Sequence, residues 1–321
     1  MEFKKISHVK VEPNMKVDDL VKELRYGAGF GARNLAKSVD IFCEMLKDND
    51  CTIFLGVAGA MVPGGMRQVI IDLIELDYIE VLICTGATLT HDIIEAYGFQ
   101  HIHGSAHVDD KILAEKNLNR IYNVLLPNEA YENFEDNIQS LLSEIKTKKI
   151  SANEFLHELG LKLNKNSIIT AAAKKGVPIF CPGLLDSILG FQIWMFSQTH
   201  DLTIDIFDDQ RIMMDIAYDS KKRGALIIGG SVPKHFIALT MQVTSQGLDY
   251  AIQITTDRPE PGGVSGASLQ EAKSWKKVNP ESEHVVDVIC DATIALPIIL
   301  ASVETRLKDF KRKSKKFKKY G

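Results

Sequence analysis

The sequence has little of what marks secreted, membrane-spanning or metal-binding proteins. Its five cysteines are odd in number, widely spaced and free of any Cys-X-X-Cys pair (Cys43, Cys51, Cys84, Cys181 and Cys290). Such spacing favours buried, reduced thiols over a disulfide framework or a zinc site. No uncharged apolar run is long enough to span a bilayer, and the N-terminal residues are polar where a secretory signal would be apolar. We therefore expect a soluble cytoplasmic protein without a membrane partner.

Net charge is small but unevenly distributed. The whole chain carries −4, whereas the segment from Arg306 onward has nine basic residues against Asp309 alone, or +8. Residues 1–305 are therefore acidic, with a net charge of −12. We interpret the basic tail as a frayed, solvated helix end, with contact to an acidic partner surface or nucleic acid as the alternative. The acidic body favours cationic ligands such as polyamines, and nucleic acid is not the expected main partner.

Short apolar runs recur along the chain and alternate with segments of helical spacing. Several runs are continuous, as strands buried on both faces are. The predicted strands cover residues 52–57, 79–84, 119–125, 177–181, 203–207, 225–228, 250–255 and 285–290. The predicted helices cover residues 17–25, 66–76, 134–146, 187–196, 210–222 and 294–307. This alternation predicts an α/β protein with a doubly wound, mostly parallel Rossmann-like sheet and helices on both of its faces.

The domain organisation follows from the same pattern. With 321 residues and 45% hydrophobic content, the chain can bury a sizeable core, and no linker-like composition interrupts it. We therefore expect a single large domain over residues 21–307. An N-terminal extension (1–20) precedes it and a basic C-terminal tail (308–321) follows it.

Four predicted strands end in small residues that lead towards a helix, at 58–65, 85–88, 229–231 and 291–293. Without side-chain bulk the backbone approaches a ligand closely, and a following helix N-terminus can hold phosphate. Four such exits favour a dinucleotide-sized ligand at the carboxyl edge of the sheet. The glycine-rich segment 27–31 follows a helix and not a strand, so we interpret it as a helix-capping turn.

Three histidines, His101, His103 and His107, resemble part of a metal cluster. No Cys or Glu stands at a spacing that would complete a tetrahedral set. A polar loop is therefore the favoured interpretation, and no metal site is expected.

The segment 265–278 contains residues with a concrete chemical use. Lys277 lies two residues after Trp275, with Glu271 upstream. A lysine becomes a nucleophile only when its ammonium loses a proton, which removal from water promotes. Trp275 can supply an apolar wall and a cation–π face for an amine, and Glu271 can hold a second ammonium. The alternative interpretation is a surface loop anchored by its tryptophan.

This segment resembles the active-site segment of deoxyhypusine synthases, whose Ser-Trp-Gly-Lys motif reads Ser-Trp-Lys-Lys at residues 274–277. Further segments at 51–56, 120–136, 224–235, 249–251 and 290–293 look like the same family. The resemblance covers roughly residues 22–304. It implies a transferase in which NAD takes hydride from spermidine and 1,3-diaminopropane is released. The aminobutyl group is then carried as an imine on Lys277 and passed to a lysine of the translation factor 5A precursor, where NADH reduces the product imine.

The resemblance also implies roles for individual residues. Catalysis falls on Lys277 and on His235, a proton-transfer candidate because its ordinary pKa lies near neutrality. Amine binding falls on Glu271 and Trp275. The family is tetrameric with sites shared between subunits, so a homotetramer is implied. The implied NAD contacts are Thr85, Gly86, Asp186, Gly229, Gly230, Thr256, Asp291 and Ala292.

The chain departs from the family at positions that matter for the substrate. Phe191 and Val264 stand where well-studied members have carboxylates that hold the amines of spermidine. His91 replaces an acidic cofactor contact, and Lys276 replaces the glycine of the motif. Three alternatives therefore stay open: an aminoalkyl transferase for another amine (for instance one forming homospermidine), a hydrolase of an amine such as agmatine, and a non-catalytic NAD-binding assembly protein.

Overall fold

The computed structural model describes residues 5–244, 246–313, 315 and 317. In chain order its helices are α1 (Val17–Gly27), α2 (Phe30–Lys47), α3 (Arg67–Glu75), α4 (Gly86–Ala96), α5 (Asp110–Glu115), α6 (Asn128–Ser143), α7 (Ala152–Leu163), α8 (Ile168–Lys175), α9 (Ile188–Ser197), α10 (Ile206–Asp219), α11 (Ser231–Val243) and α12 (Ala292–Arg306). Its strands are β1 (Cys51–Val57), β2 (Val81–Cys84), β3 (Ile102–His103), β4 (Leu118–Ile121), β5 (Val124–Pro127), β6 (Lys149–Ser151), β7 (Ile179–Phe180), β8 (Thr203–Asp205), β9 (Lys222–Ile228), β10 (Tyr250–Thr255) and β11 (Val285–Ile289).

Contacts divide the chain into two compact units. The first unit contains Met1–Val57, Asp77–Glu80 and Met214–Lys315, and the second contains Ala58–Leu76 and Val81–Met213. The predicted limits of the extension, the domain and the tail stay a prediction.

The first unit is built on four parallel strands in the order β11-β10-β9-β1. Every residue of β1 and β10 is buried, which explains why their sequences are continuously apolar. At two glycines of this sheet, helices pack closely against the strands because the glycines have no side chain. A side chain at Gly224 would collide with Met45 of α2, and one at Gly56 would press on Ile237 of α11. Helices α2 and α11 therefore pack tightly against the sheet.

The second unit contains three groups of paired strands. Strands β2 and β7 pair in parallel, as do β6 and β8, whereas β3, β5 and β4 form an antiparallel sheet. Helix α7 packs against β7, and α4 packs against α6, α8 and α9. A buried carboxylate joins several of these elements. Asp92 of α4 accepts from Arg67 Nε at 2.7 Å and from the backbone N–H groups of Ile168 and Ile169, which begin α8.

The predicted α/β class with a mostly parallel sheet is confirmed, and most predicted elements lie within a few residues of the observed ones. One predicted strand was wrong. Residues 119–125 form not a single strand but the hairpin of β4 and β5, joined at Tyr122 and Asn123. Tyr122 has φ of +55°, the left-handed conformation that two-residue hairpin turns require, and tyrosine gives no sequence signal for it. In segment 27–31, Gly27 ends α1, Ala28 and Gly29 connect the two helices, and Phe30 begins α2, as expected of a turn at a helix end.

The basic tail is not simply a solvated helix end. Arg312 has 1% of its side chain exposed and forms an ion pair with Glu80, whose side chain is fully buried. Its guanidinium also donates to backbone carbonyls at Leu46 (2.7 Å) and Cys51 (2.6 Å). The expectation of a solvated tail is therefore wrong at Arg312, because four backbone carbonyls around the α2–β1 connection and the Glu80 carboxylate accept its N–H groups in a buried site. Lys316, Lys318 and Lys319 lie outside the described residues.

The remaining expectations concern thiols and membranes. Cys43, Cys51, Cys84 and Cys181 are buried and free, and Cys290 is half-buried and free. Burial raises the pKa of the Cys43 thiol to about 11, so it stays protonated at neutral pH. Among the described residues, no helix combines the length and apolarity that crossing a membrane requires.

Candidate active site

In the first unit, the cofactor candidates share one edge of the parallel sheet. Gly229 and Gly230 follow β9, Thr256 follows β10, and Asp291 with Ala292 follows β11. Gly229 has φ of +75°, and a side chain at Gly230 would collide with Ser265. Both positions therefore require glycine, which leaves bare backbone at the start of α11.

The same edge carries a second helix start. Asp291 Oδ1 accepts from the backbone N–H and the hydroxyl of Thr293, so Asp291 caps α12. Helices α11 and α12 thus begin at the same edge of the sheet, after β9 and β11, with β10 between those two strands. Backbone N–H groups at helix starts are suited to phosphate.

In the second unit, Thr85, Gly86 and Asp186 lie at the ends of the paired strands β2 and β7. Thr85 caps α4, since its hydroxyl accepts from Thr88 N at 3.3 Å. A side chain at Gly86 would overlap that of Ser187, the residue after Asp186. These two strand exits are therefore close together, and Asp186 is exposed beside them.

A cavity of about 180 Å³ in the first unit collects most of the amine-handling candidates. Its walls come from β9, α11 and the loop between β10 and β11. Apolar side chains form most of the lining, and Glu271, Trp275, Lys277 and Lys234 are its charged or aromatic members. A cavity with apolar walls and a few charged groups suits the aliphatic chain of an amine.

Lys277 is held by its backbone at the mouth of this cavity. Its N–H donates to Ala272 O and its carbonyl accepts from Leu248 N, both at 3.0 Å. The ammonium lies 5.0 Å from the centre of the Trp275 ring, within cation–π range. Lys276 differs from its neighbour, because it is exposed and has φ of +57°.

His235 lies on α11, one residue after a cavity-lining lysine. The residue as a whole is exposed, but its ring is partly buried. This partial burial and the charge of Lys277 both lower the pKa of His235. A lowered pKa keeps the imidazole neutral at working pH and thus able to accept a proton.

Sequence reasoning missed Lys234. Its side chain is 4% exposed and lines the cavity together with Lys277. One signal in the sequence could have identified it. A positive charge near the N-terminus of a helix interacts unfavourably with the helix dipole, so a lysine in the first turn of α11 suggests a role other than helix stabilisation. Fully buried Gln253 of β10, whose side chain contacts Lys234, was missed as well.

The two departures from the family pattern have different surroundings. Val264 lines the cavity and is 43% exposed, so an apolar side chain stands in its wall. Phe191 belongs to α9 of the second unit, is 50% exposed, and has its ring 5.5 Å from that of Trp194. Within the described lining of the cavity, Glu271 is the single carboxylate.

The histidines proposed as a polar loop do not gather around a metal position. His103 and His107 are exposed. His101 instead bridges Glu95 (2.7 Å) and His91 (3.0 Å), and burial lowers the pKa of His91 to about 4. Over the ranges that the structure describes, no three or more His, Cys, Asp or Glu side chains are arranged so that they could hold a metal ion.

Comparison with known proteins gives one consistent family. The model of the deoxyhypusine synthase family matches residues 19–303. A relative from Methanosarcina mazei, named as probable deoxyhypusine synthase 1, is 45% identical over 94% of this chain and 95% of its own length. One from Archaeoglobus fulgidus with the same name is 38% identical over 92% and 97%. A crystal structure of a candidate deoxyhypusine synthase from Entamoeba histolytica has the same fold, with a TM-score of 0.64, 19% identity, and coverage of 92% of this chain and 96% of that one.

Proposed function

The chain belongs to the deoxyhypusine synthase family, and from that premise we propose that it is a transferase that moves the aminobutyl group of spermidine onto a lysine of the translation factor 5A precursor. The observation that carries this proposal is the cavity in which Lys277, Trp275 and Glu271 meet. When bound, NAD accepts hydride from the donor amine and returns it to the product imine, so net oxidation is zero.

The chain's own residues act before and after that redox chemistry. Glu271 holds a terminal ammonium of the donor, and Trp275 covers its aliphatic part. Neutral Lys277 attacks the imine carbon and releases the diamine as the leaving amine, so the aminobutyl group becomes an imine on Lys277. The acceptor lysine then displaces Lys277 in the same way. His235, whose pKa is lowered, takes and returns the proton at the reacting nitrogen.

The residues at the strand exits fit a dinucleotide. Glycines that cannot carry a side chain expose backbone next to helix starts, which is the arrangement that phosphate binding needs. We propose Gly229, Gly230, Thr256, Asp291 and Ala292 as the NAD-binding residues of the first unit. Thr85, Gly86 and Asp186 are the NAD-binding candidates of the second unit. Calorimetry with the purified protein tests this, and absence of NAD affinity would contradict it.

A second candidate function has one observation in its favour. Val264 places an apolar side chain in the cavity wall, and Glu271 is the single carboxylate of the described lining. An amine with fewer ammonium groups than spermidine would leave fewer charges unpaired there. An aminoalkyl transferase acting on another amine is therefore the alternative. Product analysis with spermidine and with shorter diamines distinguishes the two.

We expect Glu271→Gln to weaken amine binding while NAD binding is unchanged. The amide keeps the shape but removes the charge that pairs with an ammonium, and for this exposed position we expect KM for the amine to rise roughly tenfold. Steady-state kinetics and NAD calorimetry measure the two effects. Glu281→Gln, at an exposed carboxylate outside the cavity lining, is the matched control. An unchanged KM in Glu271→Gln would contradict the assignment.

The surface of α9 supports a homo-oligomer, and the family implies a homotetramer. This helix is apolar around its circumference, yet Phe191 and Trp194 are about half exposed, and Leu185 beside it is 77% exposed. Apolar patches of this kind mark interfaces, and a helix apolar all round is normally buried. We propose that a second copy of the chain covers this face.

We therefore expect Trp194→Glu to lower the molar mass in light scattering, because a charge in an apolar interface must be desolvated without a partner. Ile112→Glu is the control, since Ile112 on α5 is 46% exposed and Trp194 is 49% exposed. Retention of the wild-type mass by Trp194→Glu would show that this face is not the interface.

A further inference from the structure

Gln253 is a polar residue in the middle of a fully buried strand. It belongs to β10, in which every residue is buried, and its own exposed fraction is 0%. Its neighbours along the strand, Ile252 and Ile254, are apolar. A buried amide destabilises a fold unless its donors and its acceptor are paired, so a glutamine at this position needs specific partners.

The side chain of Gln253 connects two segments that follow different strands. Its amide nitrogen donates to Gly229 O at 2.8 Å and to Ser265 O at 2.7 Å. Its Oε1 accepts from Lys234 Nζ at 2.7 Å. A carbonyl only accepts and an ammonium only donates, so these partners fix which way the amide faces. One N–H group of Gln253 is therefore bonded to each segment.

The first segment is the exit of β9, and the second leads to the amine cavity. Gly229 directly follows β9 and is one of the proposed NAD-binding residues. Ser265 begins a short stretch, residues 265–269, whose last three residues line the cavity. Beyond it, the backbone N–H of Glu271 donates to Ser268 Oγ at 3.0 Å. This stretch therefore connects the exit of β9 with the residue proposed to hold the amine.

The stretch 265–269 is held at both of its ends. Ser265 Oγ accepts from the backbone N–H of Ser231, the first residue of α11, at 2.8 Å. At the other end, the backbone N–H of Leu269 donates to the carboxylate of Asp287 in β11 at 3.1 Å. A stretch fixed in this way keeps the wall of the cavity in one position relative to the exit of β9.

We propose that Gln253 is a positioning residue that holds the exit of β9 and the wall of the amine cavity in the register that hydride transfer requires. This inference rests on the proposed function, because it takes Gly229 as part of the NAD site and the cavity as the amine site. Gln253 is fully buried and acts through the backbone of both segments.

The step that depends on this register is the oxidation of the donor amine. The amine loses a hydride from carbon to NAD and a proton from nitrogen to His235, which gives the imine and NADH. Hydride transfer needs the two reacting carbons in contact, and a misplacement of about 1 Å lowers a rate by about a hundredfold. Loss of Gln253 should therefore lower the rate at saturation, whereas each ligand still meets its own binding residues.

Single-turnover oxidation of spermidine by the full-length protein, without the acceptor protein, measures this step through the absorbance of NADH. Calorimetry with NAD counts the intact sites and gives the NAD affinity. Gln253→Glu keeps the shape and the bond to Lys234 but has no N–H donor, and Gln253→Met lacks the same donors without adding a charge. We expect each variant to lower the saturating rate per intact site roughly tenfold to a hundredfold. NAD affinity and the half-saturating amine concentration should change by less than about threefold.

Gln270→Glu is the matched control, because Gln270 lies in the loop between β10 and β11 but is exposed and outside the cavity lining. It should keep the wild-type saturating rate. A slower Gln253→Glu beside an unchanged Gln253→Met would trace the effect to the added charge and overturn the proposal. Wild-type rates per intact site in both variants would overturn it too, since the loss of activity would then only reflect unfolded protein.

Ser265→Ala tests the same connection if the buried variants do not fold. It removes the oxygen that accepts from Ser231 at a half-buried position and leaves Gln253 in place. We expect a smaller fall in the saturating rate, roughly threefold to tenfold, and an unchanged rate would overturn the proposal. No oxidation by the wild-type protein would contradict the proposed function and this inference together. Oxidation by the wild-type protein that none of the three variants slows would overturn this inference alone.

Discussion

Lys277→Arg is expected to abolish aminobutyl transfer, with a loss of at least about a thousandfold in turnover. Arginine keeps the positive charge but does not lose a proton near neutral pH, so it cannot attack an imine. The exposed edge of the cavity leaves room for the larger side chain, because Lys277 is itself half-buried. Oxidation of the donor amine should survive, since hydride transfer does not need the covalent lysine. A transfer assay with the factor 5A precursor measures the loss.

Borohydride trapping identifies the covalent residue directly. With NAD and the correct amine, reduction should leave a mass adduct on Lys277 of the wild-type protein. The matched control is Lys276→Arg, since Lys276 is the adjacent lysine but is exposed and outside the cavity lining. This control should keep transfer and trapping. An adduct on Lys276, or full activity in Lys277→Arg, would show that the nucleophile has been assigned to the wrong residue.

The largest expected effect on stability comes from Arg312. Its guanidinium pairs with Glu80 Oε1 at 3.1 Å, and both side chains are at most 1% exposed. Burial raises the pKa of the Glu80 carboxyl, and the charge of Arg312 opposes that shift. Arg312→Met removes the cation from this carboxyl, which keeps the backbone N–H of Ile53 as a donor, and removes the guanidinium donor from the carbonyls of Leu46 and Cys51. We expect a loss of about 3–5 kcal/mol in the free energy of unfolding.

Urea denaturation measures this change, with the adjacent Lys313→Met as the control. Lys313 is exposed, so its replacement should shift the free energy of unfolding by less than about 0.5 kcal/mol. Adding Glu80→Gln to Arg312→Met should recover part of the loss, because the unpaired buried charge is then removed. Equal stability of Arg312→Met and Lys313→Met would refute the structural role of the tail.

The local pattern of the sequence predicted the elements that are most strongly apolar. The predicted strand at 250–255 coincides with β10, and the strand at 52–57 with all but the first residue of β1. Continuous apolar runs identify such strands because both of their faces are covered. The prediction failed at 119–125, where the turn depends on a left-handed tyrosine that carries no local signal.

Part of the chemistry of the site could also be predicted from the local sequence. Lys277, Trp275 and Glu271 lie within seven residues of one another, so a single loop brings them to one cavity. Lys234 could not be predicted as a site residue, because it is distant in sequence from this loop and resembles any other lysine on a helix. Only the strand order β11-β10-β9 places the start of α11 beside the loop before β11. Strand order is set by packing of the whole unit and not by any local segment.

By itself the sequence determined the α/β class, the small-residue strand exits and the nucleophile candidate, because each depends on residue type and spacing within a short window. Tertiary structure alone decided which basic side chains are buried. Lys234 and Arg312 are at most 8% exposed, whereas the residues that follow them, His235 and Lys313, are exposed. The reason is the number of oxygen acceptors at each position: a cation is buried only where distant parts of the chain together satisfy its N–H groups.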